Sequence, residues 1–272
     1  MSRKLASLCN VAISAITFFS NERQKKKVEA WLYQSLSSRS LVDIECKEGS
    51  LKLNVLASPH AANTAINFFK DEPETIQWIN SFEEGDVFYD IGAGVGIYSL
   101  YAALNETCLV YSFEPNGLSF GLLVEHTHIN QLYNINPLAL AISDSTKLDS
   151  LLLRQVSQGA GGSSVGKEYY RRHKEKPQSQ QTIITVSLDD LVNNLGLKQP
   201  NHLKIDVDGM EPDIIRGGMA TLEGASSILI EIENRKEKEV EVLILSPLRE
   251  LGFTESNKYR NMGSGRNKIF VK

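Results

Sequence analysis

The sequence predicts an α/β fold with a mainly parallel sheet that helices cover on both faces. From residue 87 onward, short apolar strands alternate with helical stretches, as in chains of strand–helix–strand units. The chain has 272 residues, enough for one large domain with a buried core. Its 42% apolar and 23% charged residues are ordinary for a globular protein. The net charge of −4 gives no general attraction to nucleic acid, so a nucleic-acid partner is not expected.

The first 60 residues are predicted to form an extension ahead of a main domain over residues 61–272. Residues 5–19, "LASLCNVAISAITFF", predict an amphipathic helix packing on the domain or on a second copy, so that a homo-oligomer is one expectation. A targeting segment is the alternative, and the stretch is too short to be an integral membrane span. Residues 41–57 alternate apolar and polar around a Gly-Ser turn, which predicts a β-hairpin.

Residues 71–83 predict the next helix, with Asp71 as its cap and Pro73 in its first turn. The strands then follow as "VFYDI", "CLVYSFEP", "NINPLALAIS", "HLKIDV" and "SSILIEIE", with helices between them. The short link between "FTES" and "KIFVK" predicts a C-terminal antiparallel hairpin. Residues 155–181, rich in Gly, Ser, Gln and charge, predict a long loop that is either functional or disordered. Three isolated cysteines predict neither a disulfide framework nor a zinc site, which favours a reducing, cytoplasmic location.

The stretch "DIGAGVGIYS" predicts a nucleotide-binding turn between the first of these strands and its helix. A dinucleotide fingerprint would place a third glycine at position 97, which is Ile97. Asp90 at the strand end would repel a pyrophosphate, which prefers a bare helix N-terminus. S-adenosylmethionine instead carries a cationic sulfonium and an ammonium, which suit Asp90. Gly92 and Gly94 would let the backbone approach this cofactor, so the turn predicts a methyl donor rather than a hydride carrier.

Two further acids follow at successive strand ends. Glu114 ends the next strand, 20 residues after Gly94, where it is predicted to accept both ribose hydroxyls. Asp144, in "AISDS", is a candidate acceptor for the adenine amino group. For Asp144 an ordinary helix-capping role stays an equal alternative. Three acids at three consecutive strand ends indicate a nucleotide site more strongly than a glycine turn alone.

In "EPETIQWINSFEEGDVFYDIGAGVGIYSLYAA", "YSFEPN", "LAISD" and "LKIDVDGMEPDIIRGG", the sequence resembles the FkbM-type S-adenosylmethionine-dependent methyltransferases. The resemblance covers roughly residues 60–272. It implies a class I, Rossmann-like, seven-stranded fold and methyl transfer, usually to a hydroxyl on a sugar, a polyketide or a similar natural product. It also places Ala93, Gly96, Pro115 and Asn116 at the cofactor. Gly94 stands where members commonly have Asn, and Asp208 where they commonly have Glu, which leaves the reach of Asp208 open.

The block "KIDVDGMEP" supplies the candidate catalytic acids Asp206, Asp208 and Glu211. On a strand, Asp206 and Asp208 would point to the same side, and the strand end would face the cofactor crevice. Asp206 is predicted to orient the acceptor or to take its proton. Glu211 precedes Pro212 at a helix start, so a capping role is as plausible as a catalytic one, and the same balance applies to Asp208.

Glu231, in "LIEIEN", adds a fourth candidate catalytic acid at the end of the neighbouring strand. Together with Asp206 and Asn234 it could ligate a divalent cation, a possibility that the sequence does not favour over a metal-free site. The charged run "YYRRHKEK" predicts a solvated loop, or else cations that hold an anionic acceptor. His126 and His128 are predicted at the surface. The expected function is O-methylation of a small-molecule or glycan hydroxyl; an N- or C-methyltransferase and a non-catalytic S-adenosylmethionine-binding scaffold are the alternatives.

Overall fold

A computed structural model of the chain describes residues 21–37, 41–55, 59–232, 235–260, 262–263 and 265–272. The predicted helix over residues 5–19 and the candidate ligand Asn234 lie outside these ranges. The N-terminal part contains helix α1 and an antiparallel hairpin of β1 and β2, with Leu41 opposite Asn54. The hairpin predicted for residues 41–57 is therefore present. The bounds are Glu22–Ser37 for α1, Leu41–Cys46 for β1 and Gly49–Asn54 for β2.

Two helices, α2 (Pro59–Asp71) and α3 (Pro73–Ile79), follow the hairpin. The helix predicted to start at Asp71 is shorter and starts later, because Asp71 ends α2 instead. Glu72 occupies the position before α3 with φ −135° and ψ 66°, and its side chain makes no cap. A residue that precedes proline is disfavoured in the helical region, so Pro73 sets the break between the two helices.

The main sheet has seven strands in the order β12–β13–β11–β10–β3–β4–β5. The five strands from β11 to β5 run parallel, and β13 is antiparallel to both β11 and β12. The predicted Rossmann-like class I sheet with a C-terminal antiparallel hairpin is thus confirmed. The strands are β3 (Val87–Ile91), β4 (Leu109–Phe113), β5 (Ile135–Leu138), β10 (His202–Ile205), β11 (Ser227–Glu231), β12 (Thr254–Glu255) and β13 (Asn267–Val271).

Both faces of this sheet are buried, as expected for a parallel sheet between helices. All five residues of β3 are buried: Tyr89 packs into one core with Phe113 and Ile205, and Phe88 into the opposite core with Trp78. None of the helices within the described ranges has the length and apolar character that a bilayer crossing requires. The helices linking the sheet strands are α4 (Ile97–Ala103), α5 (Gly117–Ile129), α8 (Glu211–Arg216), α9 (Met219–Glu223), and α10 (Glu237–Val240), which continues through a π-helical turn (Glu241–Leu245) into α11 (Ser246–Glu250).

A second sheet of four strands, in the order β6–β9–β7–β8, was not predicted. The stretch "NINPLALAIS" breaks after Leu138, and its second half becomes β6 in this sheet. Residues 155–181, predicted as a loop, contain β8, helix α6 and the start of β9. These elements are short and show no periodic apolar pattern. The bounds are β6 (Ala141–Ser143), β7 (Lys147–Leu153), β8 (Ser164–Val165), α6 (Lys167–Arg172), β9 (Ser179–Ser187) and α7 (Leu188–Asn193).

Candidate functional site

A cavity of about 250 Å³ lies at the carboxyl ends of β3, β4 and β10, under a wall from the second sheet. The charged side chains in its lining are all acids, namely Glu114, Asp206 and Asp208. The lining also brings together parts of four sequence segments: Gly92 and Gly94, Pro115 and Asn116, Val207 and Met210, and Gly159, Ala160, Gly161, Ser163 and Ser164. A cavity of this charge suits a ligand with positive groups.

The glycine turn gives Gly92 and Gly94 different tasks. Gly92 has φ +83°, and a Cβ there would overlap the carbonyl oxygen of Asp206, so only glycine lets the ends of β3 and β10 approach this closely. Gly94 has φ +57°, but a Cβ there would meet nothing within 4 Å. The space beside Gly94 is part of the cavity. The turn is tied to β4 because the amides of Gly92 and Ala93 both donate to the carbonyl of Phe113 at 3.0 Å.

Glu114 connects the glycine turn to the start of α5. Its Oε2 accepts from the amide of Gly94 at 2.8 Å, and its Oε1 accepts from the amide of Asn116 at 2.8 Å. The Asn116 side chain caps α5 by accepting from Leu118 N at 3.0 Å. Burial raises the pKa of Glu114 to about 7, against the effect of the two amides. A carboxylate has about four lone-pair sites, so Glu114 can still accept hydroxyl donors from the cavity.

Asp90 lies beneath the cavity rather than in its lining. The residue is buried, and its Oδ2 accepts from Ser99 Oγ at 2.6 Å. Ser112 Oγ in turn bonds to Ser99 Oγ at 2.7 Å. Burial raises the pKa of Asp90, and the nearby Lys204 ammonium opposes that shift. A direct contact between Asp90 and a cofactor stays a prediction, because Asp90 is buried and does not line the cavity.

Asp144 and Gly96 also lie outside the cavity lining. Asp144 accepts from Arg216 at 2.7 Å and from Ser145 at 2.9 Å, and these bonds lower its pKa. Gly96 stands just before α4, where a Cβ would overlap the side chain of Leu123 on α5. The structure therefore gives Gly96 a packing role between α4 and α5. The predicted adenine contact of Asp144 stays a prediction.

Asp206 lines the cavity just beyond the end of β10. Lys204 Nζ donates to its Oδ2 at 2.5 Å, while the Asp206 side chain keeps 27% exposure. Burial acts to raise the pKa of Asp206, but the Lys204 ammonium and further hydrogen bonds outweigh it and lower the pKa. Asp206 is therefore an ionised hydrogen-bond acceptor that reaches the cavity, as its predicted role in orienting an acceptor requires.

Asp208 also lines the cavity, but it binds a different set of partners. It accepts from the amide of Gly162 at 2.6 Å and from Arg172 at 2.8 Å. Burial raises its pKa, and Arg172 opposes the shift. The expected strand alternation does not extend to Asp208 because β10 ends at Ile205. Asp206 and Asp208 consequently share the cavity, with Lys204 bonded to the first and Arg172 to the second.

The charged run "YYRRHKEK" is not a solvated loop over its first half. Residues Lys167–Arg172 form α6, Tyr169 is fully buried, and the Arg172 side chain is only 7% exposed. Arg171 bonds to Glu168 at 2.6 Å within this helix. Arg172 binds Asp208, which lines the cavity.

Glu211 and Glu231 lie beside the same strand ends, outside the cavity lining. Glu211 is buried at the start of α8, where its Oε1 accepts from Gly209 N at 3.0 Å and Arg235 lies 3.4 Å away. Burial raises its pKa to about 7. Glu231 ends β11 and lies 3.4 Å from Arg266. Within the described ranges, no three Asp, Glu, His or Cys side chains converge as metal ligands.

Comparison of the sequence with known protein families identifies the family of this chain. The family model described as "Methyltransferase FkbM domain" matches residues 90–255, more than half of the chain. The chain belongs to the FkbM methyltransferase family. This FkbM protein is also 26% identical to hexuronic acid methyltransferase AglP of Haloferax volcanii over 185 residues. The aligned region covers 68% of this chain and 72% of AglP.

Solved structures similar to this FkbM methyltransferase include two with low sequence identity. Precorrin-6y C5,15-methyltransferase from Geobacter metallireducens GS-15 is 13% identical, with 72% of this chain and 83% of that chain covered and a TM-score of 0.42. TYW2 from M. jannaschii in complex with AdoMet is 15% identical, with 86% and 87% covered and a TM-score of 0.41.

The FkbM protein is an S-adenosylmethionine-dependent methyltransferase, and its cavity fits this cofactor. The acidic lining suits a cationic sulfonium and ammonium, and the space beside Gly94 leaves room for a ligand against the backbone. Glu114 offers carboxylate oxygens for ribose hydroxyls at the expected strand end. When bound, the cofactor supplies an activated methyl group. Gly94, Glu114 and the segment from Pro115 to Asn116 are the residues that would hold it.

The burial of two polar residues of the FkbM protein was not foreseen from the sequence. Lys204 is 2% exposed in β10, and a lysine inside the apolar run "HLKIDV" was the available signal. His126 was expected at the surface but is fully buried. Its Nδ1 bonds to Val95 O at 2.8 Å and its Nε2 to Asn54 N at 2.9 Å, so it joins the glycine turn to the N-terminal hairpin. Burial lowers its pKa, which favours the neutral ring that this pair of bonds requires.

Proposed function

We propose that this FkbM methyltransferase methylates a hydroxyl group of a sugar, in a glycan or a small natural product. The observation that carries the proposal is Asp206, an acid kept ionised by Lys204 and exposed to the cavity at the end of β10. The relative AglP, named for a hexuronic acid acceptor, supports a sugar as the substrate class.

The chemistry asks little of the protein beyond alignment and proton removal. The sulfonium carbon is already activated, so the acceptor oxygen must be placed in line with the carbon–sulfur bond. Asp206 accepts a hydrogen bond from the acceptor hydroxyl, which orients the oxygen. During transfer of the methyl group, the hydroxyl proton passes to the Asp206 carboxylate. When bound, the cofactor would supply the methyl group and would retain the electron pair of the bond that breaks.

The surroundings of Asp206 are suited to a polyhydroxylated acceptor. Glu231 and Arg266 lie 3.4 Å apart at the neighbouring strand ends, and the charge of Arg266 lowers the pKa of Asp206. Carboxylates accept hydrogen bonds from sugar hydroxyls, and a guanidinium donates to hydroxyls or to a sugar carboxylate. The Arg266 side chain is 52% exposed, so it is accessible from solvent.

A methylation assay with a panel of acceptors tests this proposal. Neutral sugars, hexuronic acids and their glycosides are incubated with enzyme and methyl-labelled cofactor, and mass spectrometry with NMR then locates the label. Transfer to a sugar oxygen is the expected result. A label on nitrogen or carbon would favour the N- or C-methyltransferase alternative. Cofactor binding without turnover on any acceptor, including those in an extract of the producing cells, would favour the scaffold alternative.

The variant Asp206→Asn tests the assigned residue. It keeps the shape of the side chain but removes the charge that takes the proton. We expect cofactor-dependent thermal stabilisation to persist while turnover falls by at least about 100-fold, the usual contribution of a general base. Glu255→Gln is a matched control, because Glu255 is an acid on β12 that lies away from the cavity lining. Full activity of Asp206→Asn would remove Asp206 from the mechanism. Unchanged turnover in the presence of a chelator would dismiss the metal possibility.

A further inference from the structure

Lys204 is a buried lysine close to two acids, Asp90 beneath the glycine turn and Asp206 in the cavity lining. On β10 it stands opposite Asp90 of β3 in the parallel register, and the side chains of both residues are buried. Its ammonium donates to Asp206 at 2.5 Å. One cation therefore lies between the carboxylate beneath the glycine turn and the carboxylate proposed to meet the acceptor. An ammonium at this depth would be unfavourable without such partners.

We propose that Lys204 is a positioning residue for methyl transfer, which fixes the Asp206 carboxylate in the orientation that accepts the hydrogen bond of the acceptor hydroxyl. This inference rests on the proposed function. The Lys204 side chain is itself held in place, because its ammonium lies 5.0 Å from the centre of the Tyr98 ring. Asp90 in turn is fixed by Ser99, at the first turn of α4.

The direct hydrogen bond of Lys204 shows which of the two carboxylates it stabilises in the ionised form. The ammonium bonds directly to Asp206, and the pKa of Asp206 is lowered. Asp90 has one carboxylate oxygen, Oδ1, that is buried with no hydrogen-bond partner among the described residues, and its pKa is raised. Burial alone would lower the pKa of Lys204, but Asp206, Asp90 and Glu72 together outweigh burial and raise it. The protonated lysine and the ionised Asp206 thus form the dominant pair.

The other charged groups around this pair come from several elements. Asp90 faces it from β3. A side-chain hydrogen bond with Glu231, at the end of β11, and the charge of Arg266, just before β13, both lower the pKa of Asp206. Glu72, before α3, also acts on the pKa of Lys204. The Lys204 charge is the largest influence that lowers the pKa of Asp206. Without it, burial and the nearby Asp90 carboxylate remain, so the pKa of Asp206 must rise.

The experiment compares Lys204→Met with Lys204→Arg. Lys204→Met keeps the length of the stem without the charge, whereas Lys204→Arg keeps a charge with a different geometry. The Asp206 carboxyl is followed by ¹³C NMR across a pH titration, assigned with Asp206→Asn, and kcat and KM are measured over the same pH range. Lys198→Met, an exposed lysine, is the control for loss of one positive charge. If Lys204→Met fails to fold, the double variant Asp90→Asn/Lys204→Met removes the excess buried charge and is measured instead.

For Lys204→Met we expect the Asp206 titration and the acid limb of kcat to move upward together by about one pH unit or more, the scale of a nearby opposite charge. The turnover number falls at least about tenfold with little change in cofactor stabilisation, and Lys204→Arg returns the acid limb toward its original position. An unchanged Asp206 titration overturns this inference alone. If the Asp206 titration shifts but the wild-type protein methylates no hydroxyl, the proposed function is overturned. The catalytic part of this inference then falls with it. An equal loss of kcat with an unmoved acid limb in both lysine variants would assign Lys204 a structural role only.

Discussion

Substituting Gly94 by alanine separates cofactor binding from folding. Gly94 has φ +57° and no atom within 4 Å of a built Cβ, so the methyl group would project into the cavity without touching the protein. The left-handed backbone costs an L-residue about 1–2 kcal/mol. For a chain of this size, that loss lowers the melting temperature by about 2–8 °C.

Gly85→Ala is a matched control for this variant. Gly85 has φ +83° and also no atom within 4 Å of a built Cβ, but it lies in an exposed turn before β3. Both variants therefore carry a similar backbone cost, and they differ in whether the new methyl group meets the ligand. The difference between them isolates the steric effect on the cofactor.

Thermal unfolding with and without S-adenosylhomocysteine measures the effect. At a ligand concentration of 100 Kd, the wild type and Gly85→Ala should gain about 2.7 kcal/mol. If the methyl group weakens binding about 100-fold, Gly94→Ala gains only about 0.4 kcal/mol at the same concentration. Equal ligand stabilisation in both glycine variants would refute the placement of the cofactor beside Gly94.

Four further outcomes follow from the described contacts. Gly92→Ala should lose about 2–5 kcal/mol of unfolding free energy, because its Cβ overlaps a backbone oxygen at a left-handed position; a loss like that of Gly85→Ala would contradict this. Cofactor affinity should rise as the pH rises toward about 7, because burial raises the pKa of Glu114 to about 7 and ribose hydroxyls bind its ionised form. Calorimetry should show that Glu114→Gln binds the cofactor more weakly and that its affinity no longer depends on pH in this range. Tyr169→Phe should change the free energy of unfolding by less than about 1 kcal/mol, because the Tyr169 hydroxyl is buried with no hydrogen-bond partner among the described residues. A loss above about 2 kcal/mol in denaturant unfolding would contradict this and indicate that the hydroxyl has a partner. If the acceptor carries a carboxylate, Arg266→Gln should raise its KM about tenfold or more and leave the KM of a neutral sugar unchanged.

The main sheet was readable from the sequence because its signals are local and strong. The strand "VFYDI" is buried at every position, and Gly92 and Gly94 adopt the positive φ angles that mark a tight turn. Glu114 lies at the strand end that its spacing predicted, with both carboxylate oxygens on backbone amides. These features depend on residues that are neighbours in sequence or that repeat with a fixed period.

The parts that were not predicted depend on contacts between distant segments. Strand β8 has two residues and α6 has six, too few to show a period, and the two are positioned by bonds such as Ser164 Oγ to Asp208 O. Lys204 and Asp90 meet only because β10 and β3 are adjacent in the sheet, although they are far apart along the chain. The burial of His126 likewise depends on the N-terminal hairpin, which no local pattern places against α5.

The bond between His126 and the hairpin uses the main-chain amide of Asn54, and the buried Asn54 side chain adds a separate bond to Glu125 Oε1 at 2.8 Å. Any residue except proline supplies the amide, so the bond to His126 does not depend on the side chain at this position. A second backbone link, from Lys52 N to Asn130 Oδ1 at 2.7 Å, has the same property. The outward-facing residues of the hairpin can therefore change without loosening the support of the glycine turn.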